Sequence, residues 1–567
     1  MNKLLHSAYL LFFTLLLMIN ISCNRKSKAP SAETINAINL KRGDIVLCRP
    51  PDKQFGTVEF ETSCSEKVKK DFDLAIAMLH SFEYAEAEKI FAKIIDEEPG
   101  CAMAYWGAAM CNYHQVWPSP PSPAELEKGN KAISIAQSLT QKSKRETDYI
   151  NAIGLFYKDW NTINHRTRSL SFEKAMEKIY QKYPTDKEAA IFYALALDAT
   201  ADPADKLYSN QKKAGAILTG LYPNEPGHPG IVHYIIHSYD YPELAALALP
   251  AARIYASIAP SSAHAQHMPS HIFTRLGLWD ECIKSNLVSI SAAKCYAENA
   301  GIKGHWDEEL HGMDYLVYAY LQKGDNKLAK EQNEYLKNIH EVYPANFKVA
   351  YAFAAIPARY LLENKMWKDA ATLETNPADF PWKKFPWQKA ILHFTRLLGA
   401  VHIGNMVSAK AELKDLNTIY DTLVAQKDIY KANQVQIQIK TAEAWIKFGE
   451  GENMEAVKLM HAAATMEDNT EKSPVTPGEV IPARELLADM LIQMNKPADA
   501  LKAFEEVLKK HPNRFNALYG AASAAEKSNN FVKANAYYRQ LTGIANSSSS
   551  NRPELETAKL FLKKENH

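Results

Sequence analysis

A short helical signature recurs along most of this chain, and it limits the fold more than any other feature. In EYAEAEKIFAKIIDEEP, Ala87, Phe91, Ile94 and Pro99 follow one another at offsets of 4, 3 and 5. That spacing marks one face of a helix closed by a proline. The pattern returns in RLGLWDECIKSN, with Gly277 at the turn and Cys282 at the small position. QKGDNKLAKEQ repeats it with Gly324 and Ala329, HIGNMVSAKAEL with Gly404 and Ala409, and EGENMEAVKLM with Gly451 and Ala456. MNKPADALKAFEEVLKKHPN carries Ala500, Phe504 and Pro512, and SNNFVKANAYYRQL carries Ala534 and Tyr538. A small residue lets one helix approach the next, so the chain reads as successive helical hairpins.

The pattern resembles the tetratricopeptide repeat, a degenerate helix–turn–helix unit of about 34 residues. On these anchors units begin near 68, 102, 187, 229, 263, 310, 351, 390, 437, 481 and 515. The expected fold class is all-α, a right-handed α-solenoid of about eleven degenerate hairpins, because no unit can bury its apolar face alone. Phe91, Tyr193, Tyr255, Trp279, Trp367, Trp445 and Tyr538 stand at repeat spacing and read as core. The stretches CAMAYWGAAM, EAAIFYALAL, HYIIHSYDYP, HMPSHIFTRLG, AIPARYLLE and EDNTEKSPVTPGEVIPARELLADML are similar to those of a group of bacterial repeat proteins. That likeness implies the repeat fold and no particular reaction.

Charge and leader bound the remaining possibilities. The 66 basic and 65 acidic residues nearly cancel, which removes any bulk electrostatic case for nucleic acid. Neither GxxxxGK[ST] nor GxGxxG occurs. Lys3 followed by the apolar run Ala8 to Ile19 reads as an export leader. Its end, Ile21-Ser22-Cys23, resembles a bacterial lipoprotein signal with Cys23 as the lipidated residue. The expected organisation is a signal over 1–23, a tether and N-terminal cap over 24–66, repeat arrays over 67–346 and 347–548, and a capping helix over 549–567. The expected location is the cell envelope, lipid-anchored, in the outer membrane facing the periplasm or the surface. Export permits disulfides, and Cys48 with Cys64, flanking a proline-rich segment, is the expected pair. Cys282 and Cys295 fall in one predicted helix, too far apart to bridge.

Chemistry concentrates between residues 227 and 314. His228, His233, His237, His264, His267, His271, His305 and His311 lie there, eight of the chain's 18 histidines. His233 and His237 are spaced i,i+4, and His264, His267 and His271 run i,i+3,i+7, so each set shares a helix face. The repeat resemblance implies that the second, fifth and ninth residues of each first helix face a concave groove. In that register His233 and His237 take the last two places of one unit. His264, His267 and His271 take all three in the next, and His311, Asp314 and Tyr318 in the one after.

The expected metal ligands are His233, His237, His267 and His271, with Asp314 as ligand or orienter. Zinc is the default ion, among other divalent transition metals that suit imidazole. Alternatives are a metal-free polar or anionic ligand, or a structural network of hydrogen-bonded histidines. Pro269 sets a condition, since a helix starting only there would leave His264 and His267 off the shared face. Further groove candidates are His114, His264, Arg275, His311, Tyr318, Arg359 and Arg484. The arginines would hold an anion, or else bridge units through Glu363 or Glu485. The polar loop EDNTEKSPVTPGEV reads as a lid or an insertion.

The first functional expectation is a scaffold binding a protein or a small polar or anionic ligand, touching membrane through its lipid alone. A metal-dependent enzyme using Asp314, Glu308 or Asp240 as acid or base is the second. An accessory lipoprotein in glycan or nutrient utilisation is the third.

Overall fold

The computed structural model describes residues 29–48, 55–114, 120–545 and 552–565. The leader, Cys23 and Trp117 lie outside the described residues. Helices fill most of the chain, and each packs against its neighbours in sequence. His305–Trp306 and Val342–Tyr343 form a two-residue parallel ladder, the strand pairing among the described residues. No helix of the described residues is long and apolar enough to cross a membrane.

The repeat signature works through close packing. Phe91 lies against Gly107, where an added Cβ would come within 2.3 Å of the ring. Phe504 lies against Gly520 in the same way, at 2.2 Å and at the same sequence separation. A large ring from one helix thus fills the space that a missing side chain leaves on the next. Phe91, Tyr193, Tyr255, Trp279, Trp445 and Tyr538 are buried as expected, and Trp367 is half-buried.

Closure onto itself shapes the molecule more than the repeat does. Gly277 ends its helix at φ +66°, and a Cβ there would meet the Pro512 carbonyl oxygen at 2.3 Å. Beside it the Trp279 indole N–H donates to the Asn513 carbonyl at 2.8 Å. Arg514, fully buried, reaches Glu485 (Nε to Oε2 2.6 Å), Glu363 and Tyr318. The last units therefore sit on the middle ones. The expected concave groove is covered rather than open.

The disulfides also differ from expectation. Cys48 pairs with Cys295 and Cys64 with Cys101. The extended segment before Cys48 runs along the first hairpins, where Glu88 accepts the Lys41 amide at 2.9 Å and Glu86 accepts the Val46 amide at 2.8 Å. Local spacing in sequence does not reveal that path.

Candidate metal centre

Four helical segments bring six imidazoles together. Pro229–Tyr239 supplies His233 and His237, with Pro229 in its first turn. Ala263–His267, capped by Ser262 on the Ala265 amide, supplies His264 and His267. Pro269–Leu276 follows with His271. Met268, between the two, is itself helical, so Pro269 interrupts the hydrogen bonding without turning the chain. Asp307–Gln322 supplies His311.

The rings sort into two sets of three. His233, His237 and His264 each offer a nitrogen within 4.8 Å of the others, and so do His267, His271 and His311. In the first set His233 Nε2 lies 3.1 Å from His264 Nε2 and 3.1 Å from His237 Nε2. In the second, His267 Nε2 and His271 Nε2 are 3.0 Å apart. Two nitrogens sharing an ion at about 2.0–2.1 Å sit roughly 3–3.5 Å from each other. His264 and His267 are three residues apart on one helix, which places the two sets side by side, with Cβ atoms about 5–6 Å apart.

The protons on these rings are fixed by their outer partners. The Asn286 amide N–H donates to the Cys282 carbonyl at 2.8 Å, so Asn286 Oδ1 is the atom facing His267 Nδ1 at 2.7 Å. An amide oxygen only accepts, hence His267 carries its proton on Nδ1. His271 Nδ1 faces the Asp240 carboxylate at 3.0 Å and carries its proton there too. His233 Nδ1 donates to the His80 carbonyl at 2.6 Å. The Nε2 atoms of His267 and His271 therefore confront each other as two bare lone pairs. Only a shared cation makes that contact favourable.

Protonation is opposed by the surroundings. Five of the six rings are buried, and His237 is half-buried. Burial holds His233, His264, His267 and His311 well below the usual imidazole range, and His271 below it. It brings His237 down to about 3. The Phe82 ring shields the first set, 4.5 Å from His233 and 5.4 Å from His264 between centroids. Its own backbone sits at φ +60°, a conformation costly for a bulky residue.

A third group, His80, Glu188 and His228, has metal-like spacing but different chemistry. Glu188 accepts from His80 Nε2 at 2.9 Å and from His228 Nε2 at 2.8 Å. Burial pushes its carboxyl up, yet the two imidazoles outweigh burial and hold it below the ordinary range. Here protons already fill the contacts, and the group braces the helix that carries the His80 carbonyl.

Other sequence candidates are placed elsewhere. Asp314 joins neither set; it pairs with the buried Arg359, which also donates to the Gly478 carbonyl at 2.9 Å. Arg484 pairs with Asp468. His114 stacks on Tyr84, with ring centroids 4.5 Å apart, and its Nε2 contacts the Cys111 carbonyl. Tyr318 packs between Trp279 and the Arg514 guanidinium. Arg275 alone reaches the centre's edge, donating from Nε to Asp240 at 2.9 Å. Residues that sequence reasoning missed are Asn286, Phe82, the His80 carbonyl and Lys472. Lys472 comes from the polar loop and sits 3.2 Å from Asp240.

A cavity of about 410 Å³ opens beside His237 and Asp240. It runs between the loop that carries Lys472 and the segment around Asp198 to Tyr208. His237 is the one ligand candidate on its wall.

Comparison with known proteins supports the repeat. A tetratricopeptide-repeat family model matches residues 486–549, and the described residues form successive packed helices. Among solved structures, a human IFIT1 dimer with m7Gppp-AAAA is 12% identical, over 82% of this chain and 95% of that one, with a TM-score of 0.34. The P58(IPK) TPR domain is 13% identical over 88% and 99%, TM-score 0.19. The APC/C hetero-tetramer Cut9–Hcn1 is 10% identical over 88% and 96%, TM-score 0.24. With TM-scores this low, the fold rests on the chain's own helices. No curated protein matches the chain.

Proposed function

We propose that this helical-repeat scaffold is a metalloprotein whose two three-histidine sets hold a pair of transition-metal ions at the edge of a ligand cavity. The observation that carries this reading is the 3.0 Å approach of His267 and His271 through nitrogens that both lack a proton. Three protein ligands per ion leave a coordination position open, which is the arrangement of catalytic rather than structural sites. We therefore favour a metal-dependent enzyme over a passive scaffold.

Ligand charge favours copper over the zinc expected from the sequence. Neither set includes a carboxylate, so two divalent ions would place four positive charges in a buried, uncompensated site. Two copper(I) ions place half as many, and burying unpaired charge is costly. Imidazole suits copper well. The ions, when bound, supply Lewis-acid or redox chemistry. The chain's own contribution is to orient the rings through Asn286, Asp240 and the His80 carbonyl, and to exclude water with Phe82.

Export and lipid attachment at Cys23 belong to the same reading, and the pairs Cys48–Cys295 and Cys64–Cys101 suit an oxidising compartment. Anaerobic titration with copper(I), followed by zinc competition, tests the proposal. Copper retained against excess zinc is expected. Preferential uptake of zinc would overturn the choice of metal, and failure to take up either ion would overturn the site.

A further inference from the structure

We propose that the cavity beside His237 is the binding site of a small organic acid with an aromatic body, its carboxylate held by Lys472 and Arg275 next to the metal pair. The inference deepens the metal reading by naming its ligand, and rests on that reading only for contact between the acid and an ion.

Charge is arranged along the depth of the cavity. At the inner end Lys472 and Arg275 share a single carboxylate, Asp240, through Oδ2 at 3.2 Å and Oδ1 at 2.9 Å. Both cations are buried, and Asp240 also accepts from His271. Two cations thus share one directly bonded carboxylate, while the more distant Glu471 and Glu479 have cationic partners of their own in Lys206 and Lys510. Burial draws Lys472 down to about 8, which leaves it charged at neutral pH. An anion is the ligand that such an inner end prefers.

The acidic residues on the walls do not cancel this preference. Asp205 caps the Leu207 and Ser209 amides at 2.9 and 2.8 Å. Glu471 pairs with Lys206 at 3.4 Å, and Asp428 with Lys431 at 2.5 Å. Asp202, at the exposed rim, accepts the Ala204 amide at 2.9 Å. Asp198 is different. Burial pushes its carboxyl well above the carboxylate range and so disfavours its charged form. Its Oδ2 takes the Ser238 hydroxyl at 2.7 Å, while Oδ1 is buried without a partner among the described residues. A carboxyl disfavoured in its charged form, with one buried oxygen unsatisfied, can offer a hydrogen bond to an anion.

Shape and wall chemistry supply the rest. Tyr208, Tyr241, Phe347, Trp387 and Tyr430 line the same cavity. A volume of about 410 Å³ suits a small aromatic molecule, and aromatic faces favour a planar guest. Because His237 stands on the wall, a guest in the cavity reaches the open side of the first histidine set.

Calorimetric titration of copper-loaded protein with benzoate, and with benzyl alcohol as its uncharged counterpart, tests the proposal. Benzoate should bind at least about tenfold more tightly than the alcohol, the value of one charge-assisted hydrogen bond. Lys472→Met should weaken benzoate about tenfold or more with copper content unchanged. Tyr430→Ala, on the exposed wall and away from Asp240, should also weaken it, and remains informative should Lys472→Met misfold. No benzoate binding by copper-loaded protein, equal affinity for the two probes, or wild-type affinity in the folded variants would overturn the proposal. Benzoate binding by a chain that takes no copper would support the cavity assignment and overturn the metal reading alone.

Discussion

His267 and His271 point their Nε2 atoms at each other across 3.0 Å while Asn286 and Asp240 hold both Nδ1 protons on the far side. One helix turn sets the spacing, and two groups outside that turn set the chemistry. The pair is poised for a cation because both Nδ1 protons are held outward and leave the inner nitrogens as acceptors.

Removing the group that fixes the tautomer should weaken metal binding without removing a ligand. Asn286→Leu leaves His267 free to move its proton to Nε2. Loss of such an outer partner typically costs about 10–100-fold in metal affinity. Copper competition with a chelator measures the change, and thermal unfolding of the metal-free variant separates it from general destabilisation.

Asp314 serves stability. Its carboxylate is the charged partner of Arg359, whose side chain is fully buried. Asp314→Ala strands that guanidinium, and breaking a buried pair from one side costs about 3–5 kcal/mol. Urea unfolding should show that loss with copper content unchanged. A variant that loses copper instead would restore Asp314 to the ligand set.

Much of this fold was legible in the sequence. The Ala87–Phe91 and Ala500–Phe504 anchors mark helix faces because packing between adjacent hairpins is local. His264, His267 and His271 announce a shared face for the same reason. What escaped is long-range. Arg514 meeting Glu363, or Lys472 meeting Asp240, depends on how far the array curls, which no periodicity records. That curl converts an open groove into a covered centre. It also explains why His264 and His311, read first as groove residues, fall into the two sets while Asp314 does not. His80 escaped because its carbonyl, not its ring, holds His233.

Acid should destabilise the metal-free chain through buried imidazoles outside the centre. Burial brings His511 to about 3 and also lowers His80 and His402. An exposed imidazole titrates near 6.5. Below that pH the unfolded chain takes up protons that the folded chain refuses, so stability falls as pH drops toward about 3 and levels off above about 7. Urea midpoints between pH 7.5 and 5 measure the slope. His511→Gln should reduce it by about one proton, and an unchanged slope would remove His511 from the account.

The most direct test is elemental analysis of the folded soluble body after anaerobic reconstitution with copper(I). The paired sets predict about two ions per chain, and about one in the His267→Ala/His271→Ala variant. A folded wild-type chain holding no stoichiometric metal, or a double variant holding as much as wild type, would contradict the account.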